Sequence, residues 1–172
     1  MTAARKAKDE IAQKLKISFT ELTTDHFIVF TDWDKREYGF LKDNLEGAYA
    51  CVSQQFEIPV RDNVFVGKLP VYMFTKQSDF KKFASISDGF NPGDGVAGYF
   101  SHSENGIGHM AMWKPDPSKT GGDIHKAEIQ WVYVLTHEFT HAFVARYRSN
   151  ERVPRWLNEG VVDYLGETDD VR

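Results

Sequence analysis

The sequence predicts a single α+β domain, over residues 1–172, in which a mixed β-sheet packs against helices. The chain is long enough to bury a sizeable core. Hydrophobic residues make up 41% of it and aromatic residues 14%, which is typical of a folded protein rather than a disordered one. Segments with helical spacing and short β-rich segments follow in the order helix, strand, helix, strands and two further helices. This order predicts the α+β class.

The first half of the chain contains two predicted helices and a strand between them. Charged residues alternate with Ala, Ile and Leu over residues 1–16, which predicts an exposed amphipathic helix. The segment HFIVFTD (26–32) is rich in β-formers and is predicted to be a strand. Apolar residues recur every three or four positions from Asp34 to Phe56, which predicts a long helix. Two short strands are then predicted at 63–67 (NVFVG) and 70–75 (PVYMFT).

The second half contains two turn-rich loops, at 87–98 and 114–123, on either side of a predicted strand pair, GYFSH and IGHMAMW. The loops are predicted to be surface connections or a lid over these strands. A long helix is predicted at roughly 124–148, with Asp123 as its N-cap. Shorter helices are predicted at 77–85, with Ser78 as the N-cap, and from Pro154 to Gly166.

Composition excludes several classes of partner and site. The net charge is −4 and no basic face dominates, so nucleic acid is excluded as the predicted partner. The sequence contains no run of 18 apolar residues, so no membrane span is predicted. Cys51 is the only cysteine, so no internal disulfide or thiolate cluster is expected, and its apolar surroundings predict a small buried side chain. Without a hydrophobic leader, the chain is expected in the cytoplasm if complete, and secreted or in the cell envelope if a leader was removed.

A metal-binding motif, HEFTH, lies within the long helix predicted at 124–148. His137 and His141 are four residues apart and project from one face of a helix, where two imidazoles can share a Zn²⁺ ion at about 2.0–2.1 Å. Glu138 projects nearby, where its carboxylate can accept a proton from a metal-bound water. The structural alternative is a pair of buried, hydrogen-bonded histidines.

The helix predicted from Pro154 supplies a third candidate ligand, Glu159. It follows His141 by 18 residues, enough for the chain to turn and bring a second helix back antiparallel to the first. Asp163 lies four residues further on the same helical face and is predicted to accept the second ring N–H of His137. The alternative for Glu159 and Asp163 is an exposed, solvated helix face.

The motif pair HEFTH and WLNEGVVDY resembles that of the gluzincin, or thermolysin-like, zinc metallopeptidases. It is most similar to the bacterial peptidase-MA-like domains, whose second motif reads W-L-x-E-G-x-A-[DE]-Y. The matching residues are Trp156, Leu157, Glu159, Gly160, Asp163 and Tyr164. The resemblance implies a zincin-like domain with a cleft-lining edge strand in its sheet, a Zn²⁺ cofactor, and a peptide or protein substrate.

The resemblance also implies that the strand GIGHMAMW lines the cleft and that an extended peptide pairs with its free edge. Tyr99 and His109 would then lie near the substrate; the alternative for both is a side chain packed on the sheet. Tyr147 is a further candidate for the group that stabilises the oxyanion. Because the sequence ends nine residues after Asp163, either an upstream residue supplies this group or a C-terminal subdomain follows.

The predicted function is therefore a zinc-dependent metallopeptidase in which Glu138 is the general base. One alternative is a zincin-like peptide- or protein-binding module that retains the metal site without turnover. A second alternative is a purely structural zinc site, which usually has four protein ligands.

Overall fold

The computed structural model describes residues 2–101, 108–146 and 159–161, and it confirms the predicted α+β class with a mixed sheet. The helices of this part of the chain are α1 (Thr2–Leu15), α2 (Tyr38–Gln55), α3 (Gln77–Phe83) and α4 (Ile124–Arg146). The strands are β1 (Thr20–Thr23), β2 (Phe27–Thr31), β3 (Leu69–Phe74), β4 (Gly98–Ser101) and β5 (His109–Trp113). Among these helices, none combines the length and the apolar character needed to cross a bilayer.

The five strands form one sheet in the order β1-β2-β3-β5-β4. Strands β2, β3 and β5 are parallel, whereas β1 and β4 pair antiparallel with β2 and β5 and form the two edges. β1 was not predicted, because its sequence TELT is polar and only Leu22 is buried. β5 was predicted to be the edge strand of the cleft. This prediction is wrong, since β5 pairs with β3 on one side and β4 on the other.

Helices cover both faces of the sheet. On one face, α2 and α4 pack on the strand side chains, and α4 contributes Leu135, Phe139 and Phe143 to this core. On the other face lie α1 and α3, the latter through Phe80 and Phe83. Because successive strand residues point to opposite faces, the central strands are apolar at nearly every position.

The segment NVFVG (63–67), predicted as a strand, is a series of turns. The Asn63 side chain accepts from the Phe65 amide at 3.0 Å and donates to the Gly67 carbonyl at 2.7 Å, so the backbone folds back on itself. Gly67 has a φ of 88°, which also takes the chain out of an extended conformation. The Val64 amide donates to the hydroxyl of Tyr49 in α2 at 3.1 Å instead of to a strand.

The helix predicted from Asp34 to Phe56 begins with a separate 3₁₀ turn, Lys35–Glu37, which is closed by a capping box between Asp34 and Glu37. α2 then runs without a break and presents Leu41 and Leu45 to the core, while Cys51 is half-buried rather than buried as predicted. The predicted Ser78 cap of α3 is also wrong. The N-cap is Lys76, one residue before the helix, and no side chain caps it.

A contact between buried His26 and half-buried Glu46 ties the start of β2 to α2 and makes part of the stability depend on pH. The carboxylate of Glu46 accepts from the His26 amide at 3.0 Å and contacts the His26 ring nitrogen Nδ1 at 2.6 Å. Burial opposes ionisation of Glu46, but hydrogen bonds from Thr24 and His26 outweigh it and hold the pKa of this carboxyl below its ordinary value of 4.5. The ionised carboxylate therefore stabilises the folded state above that pH, and this contribution is lost as the pH falls through the lower pKa of the folded state.

We expect Glu46→Gln to lower the free energy of unfolding by about 1 kcal/mol at pH 7 and by less at an acidic pH below the ordinary pKa of 4.5, because the contribution of the ionised carboxylate is lost as the pH falls. Urea unfolding at the two pH values measures the difference. Asp43→Asn, an exposed change on the same helix, is the matched control and should have little effect at either pH. An equal loss at both pH values for Glu46→Gln would contradict the assignment to the ionised form.

Candidate metal centre

α4 is oriented by its N-terminal cap and by its apolar face. As predicted, Asp123 caps the helix, its carboxylate accepting from the Lys126 amide at 3.2 Å. The ring of Phe139 lies among those of Phe27, Tyr49 and Phe143 with centroids 5.4–5.9 Å apart. These contacts fix the rotation of the helix about its own axis, so that the side chains of the HEFTH motif at other angles turn away from the core.

Two buried threonines in this part of α4 need no partner from another element. The hydroxyl of Thr136 donates to the Val132 carbonyl at 3.1 Å, and the hydroxyl of Thr140 donates to the Thr136 carbonyl at 2.8 Å. Within residues 136–141 of this helix, the polar side chains that remain for chemistry are therefore His137, Glu138 and His141.

The structure brings His137, His141 and Glu159 together, as predicted. The Nε2 atoms of the two rings are 3.2 Å apart, and the Nε2 of His141 lies 3.8 Å from Oε2 of Glu159. One ligand atom from each residue lies within 4.8 Å of the other two, and all three residues are half-buried. Glu159 belongs to a helical turn at 159–161, so its approach to α4 is a tertiary contact rather than a local one.

These distances fit a tetrahedral divalent cation. Two ligand atoms at 2.0–2.1 Å from such an ion are about 3.3–3.4 Å apart, because the edge of a tetrahedron is about 1.63 times the centre-to-corner distance. The 3.2 Å between the imidazole nitrogens is close to this value. The 3.8 Å between Nε2 of His141 and Oε2 of Glu159 is longer than this value, and the Glu159 side chain is 45% exposed. The donor set of two imidazoles and one carboxylate is also one that Zn²⁺ takes in hydrolytic sites.

Glu138 lies beside this group and is held by the sheet. Its Oε2 atom accepts a hydrogen bond from the Phe100 amide of β4 at 3.0 Å. Burial raises the pKa of Glu138 to about 7; the Phe100 amide opposes the rise and the charge of Glu159 adds to it. A carboxyl with a pKa near neutrality is suited to accepting a proton and returning it.

The strand next to α4 is β4, and its outer side faces away from β5. The Trp113 amide donates to the Ala97 carbonyl at 3.1 Å, and in an antiparallel ladder residues alternate between facing the partner and facing outward. The amide and carbonyl groups of Gly98 and Phe100 therefore point to the outer side, in agreement with the bond from Phe100 to Glu138. The edge expected at β5 thus lies at β4.

Tyr99 and His109 do not adjoin the candidate ligand group, and the alternative of side chains packed on the sheet is the one that the structure shows. Their side chains lie on the face of the sheet covered by α3, where the His109 ring is 5.5 Å from the rings of Tyr72 and Phe83. The reason is the alternation of side chains along a strand, which places Tyr99 and Phe100 on opposite faces. Both residues instead bind the carboxylate of Asp88.

The two remaining candidates, Asp163 and Tyr147, lie outside the described residues, and their roles stay predictions. The loops at 87–98 and 114–123 contact each other through Asp94. Its carbonyl accepts from Lys119 at 2.7 Å and from Gln77 at 2.8 Å, and its carboxylate pairs with Lys81. The lid function of these loops stays a prediction.

Two functional groups were missed in the sequence. The Phe100 amide belongs to the main chain and carries no side-chain signal, and Asp88 stands in the turn-rich segment SDGFNPGDG, where an aspartate is ordinary. The described part of the site therefore combines α4, the edge strand β4 and the turn at 159–161. Comparisons of this chain with protein-family models, with curated proteins and with solved structures find no match.

Proposed function

We propose that this protein is a zinc-dependent metallopeptidase with a zincin-like domain. The observation that carries the proposal is the convergence of His137, His141 and Glu159 at distances suited to one tetrahedral cation, with the carboxylate of Glu138 beside them. The motif pair HEFTH and WLNEGVVDY, which resembles that of the gluzincins, supports the same proposal.

In the proposed reaction, Glu138 is the general base and then the general acid. When bound by His137, His141 and Glu159, Zn²⁺ supplies Lewis acidity that lowers the pKa of a water molecule and polarises the substrate carbonyl. Glu138 removes a proton from the attacking water as its oxygen bonds to the carbonyl carbon. The same proton then passes from Glu138 to the leaving amine as the C–N bond breaks, so the products are an amine and a carboxylic acid, which gives up its remaining proton to water. The Phe100 amide orients the base during both transfers.

The proposed substrate is an extended peptide laid along the outer side of β4. The outward amide and carbonyl groups of Gly98 and the outward carbonyl of Phe100 offer main-chain hydrogen bonds to an added strand, while the Phe100 amide donates to Glu138. Gly98 allows β4 to lie close to β5 at this point, since a Cβ atom on residue 98 would lie 2.6 Å from Cγ of Met112 in β5. A peptide in this position runs past Glu138, because the Phe100 amide already contacts that residue.

Two competing functions make different predictions. A binding module that retains the metal needs no general base, whereas here Glu138 is half-buried, held by a main-chain amide and adjacent to the ligand group. A structural zinc site usually closes the coordination sphere with a fourth protein ligand. Within residues 2–101, 108–146 and 159–161, the group of potential ligands has three members.

The decisive experiment measures metal content and peptide cleavage in one preparation. We expect about one zinc ion per chain by elemental analysis, and cleavage of a subset of a mixed peptide library by mass spectrometry. A chelator should abolish cleavage and added zinc should restore it. Zinc at full occupancy without cleavage of any peptide would favour the binding module. A wild-type protein that takes up no zinc would favour the hydrogen-bonded histidine pair.

A further inference from the structure

Asp88 forms a compact group of hydrogen bonds on the face of the sheet opposite α4. It is the last residue of a π-helical turn, Ala84–Asp88, that continues α3 and ends at Gly89, whose φ of 71° suits a glycine. Its carboxylate accepts from the hydroxyls of Tyr99 and Ser101, each at 2.6 Å, and lies 3.1 Å from Nε2 of His109. The Asp88 side chain is only 10% exposed, so these partners satisfy a largely desolvated charge.

The partners of Asp88 are placed so that they hold one short stretch of the edge strand. Tyr99 and Ser101 are the two neighbours of Phe100 in β4, and His109 is the residue opposite Ser101 in β5. The Asp88 carboxylate therefore binds β4 on both sides of Phe100 and links β4 to β5. β4 has four residues and pairs with a single strand, so its own ladder provides few hydrogen bonds to keep it in place.

The contacts of Asp88 with Tyr99 and Ser101 position the Phe100 amide. With the side chains of Tyr99 and Ser101 bound on one face, the peptide plane between Tyr99 and Phe100 is fixed, and its N–H points sideways to Glu138 at 3.0 Å. Movement of β4 by a fraction of an ångström to one ångström would lengthen this bond beyond hydrogen-bonding distance. The position of the Glu138 carboxylate thus depends on a residue on the other side of the sheet.

We propose that Asp88 is a positioning residue, which holds the Phe100 amide against Glu138 by binding the side chains on both sides of it. The consequence of this positioning for catalysis rests on the proposed peptidase function, whereas the effect of Asp88 on Phe100 does not require metal or substrate. The structural alternative is that Asp88 only stabilises the loop that follows α3.

The test is hydrogen exchange of the Phe100 amide in the zinc-free, ¹⁵N-labelled protein, followed by NMR. Asp88→Asn keeps the size of the side chain but replaces an acceptor oxygen with an NH₂ group. We expect the Phe100 amide to exchange at least about tenfold faster in this variant, with no change at Val29 in β2. Asp94→Asn, in the same loop and exposed, is the matched control and should leave Phe100 unchanged. Unchanged exchange of Phe100 in a folded Asp88→Asn protein would overturn the proposal.

Two milder variants keep the test decisive if Asp88→Asn does not fold. Tyr99→Phe and Ser101→Ala each remove one hydrogen bond to Asp88, and each should speed the exchange of Phe100 by a smaller factor of about threefold. Unchanged exchange of the Phe100 amide in both variants would also overturn the proposal.

A kinetic readout separates positioning from folding. In zinc-loaded protein, Asp88→Asn should lower kcat by about tenfold or more while the zinc content stays the same, because the base is displaced and the proposed metal ligands are not. A wild-type kcat in a variant whose Phe100 exchanges faster would refute the catalytic role of the contact. If the exchange responds as expected in a protein that cleaves no peptide, the peptidase proposal fails and the positioning of Phe100 by Asp88 stands.

Discussion

Glu138→Gln should retain about one zinc ion per chain and lower kcat/KM for peptide cleavage by about 10²–10⁴-fold. The amide has the size of the carboxylate, and its oxygen can still accept from the Phe100 amide, so the local structure should be preserved. It cannot accept the proton of the attacking water, so only the proton transfer is lost. Metal uptake should be unaffected, because the three residues whose ligand atoms converge do not include Glu138.

The matched control for this change is Glu128→Gln. It makes the same chemical substitution in the same helix, ten residues earlier, at a side chain that is 37% exposed and pairs with His125. We expect its kcat/KM to stay within about twofold of wild type. Elemental analysis and steady-state kinetics on one library-derived peptide provide both measurements. Equal cleavage by wild type and Glu138→Gln would refute the mechanism even if zinc is bound.

Local patterns in the sequence were sufficient to predict the helix that carries the chemistry. α4 has its cap at Asp123, an apolar face through Leu135 and Phe139, and histidines at a spacing of four residues. Each of these signals lies within one or two helical turns, so a single stretch of chain determines it. The approach of Glu159 to His141 was predictable for a different reason, namely the pairing of two motifs at a suitable distance along the sequence.

The strand that faces the site could not be assigned in this way. Both GYFS and HMAMW are β-rich, and the choice of edge strand depends on which of them pairs with β3, a contact made by residues about forty positions apart. The positions of Tyr99 and His109 have a separate cause, because their side chains lie on the face of the sheet away from α4. Alternation along a strand was visible in the sequence, but which face meets α4 is set by packing of the whole sheet.

Asp88 shows the same limit for a polar residue. Its partners Tyr99, Ser101 and His109 lie 11 to 21 residues away and carry no common motif with it. A carboxylate in a turn-rich segment is ordinarily solvated, so its near-complete burial is a property of the tertiary structure. The candidate site therefore divides into ligands that a motif predicts and supporting groups that only the fold brings to them.

Zinc should stabilise the wild-type protein, and this stabilisation should disappear when a ligand is removed. A ligand that binds only the folded state raises the free energy of unfolding by about 2.7 kcal/mol at a free concentration 100 times its Kd. We therefore expect the Tm of the zinc-free protein to rise on addition of zinc and to fall again with a chelator. Glu159→Ala should weaken zinc binding by at least about 100-fold, since two imidazoles are left to hold the ion.

Glu159 is the most informative of the three proposed ligands because its side chain is 45% exposed, compared with 15% for His141. Truncation of an exposed side chain costs little stability, so the zinc-free Tm of Glu159→Ala should stay close to that of wild type while its response to zinc is lost. His141→Ala should lose the response as well, but with a lower zinc-free Tm, because it also removes packing between α4 and its surroundings. If Glu159→Ala keeps the full zinc response, a different residue completes the site. If wild type shows no response at all, the two histidines are a hydrogen-bonded pair, and the convergence of His137, His141 and Glu159 has no bearing on a metal.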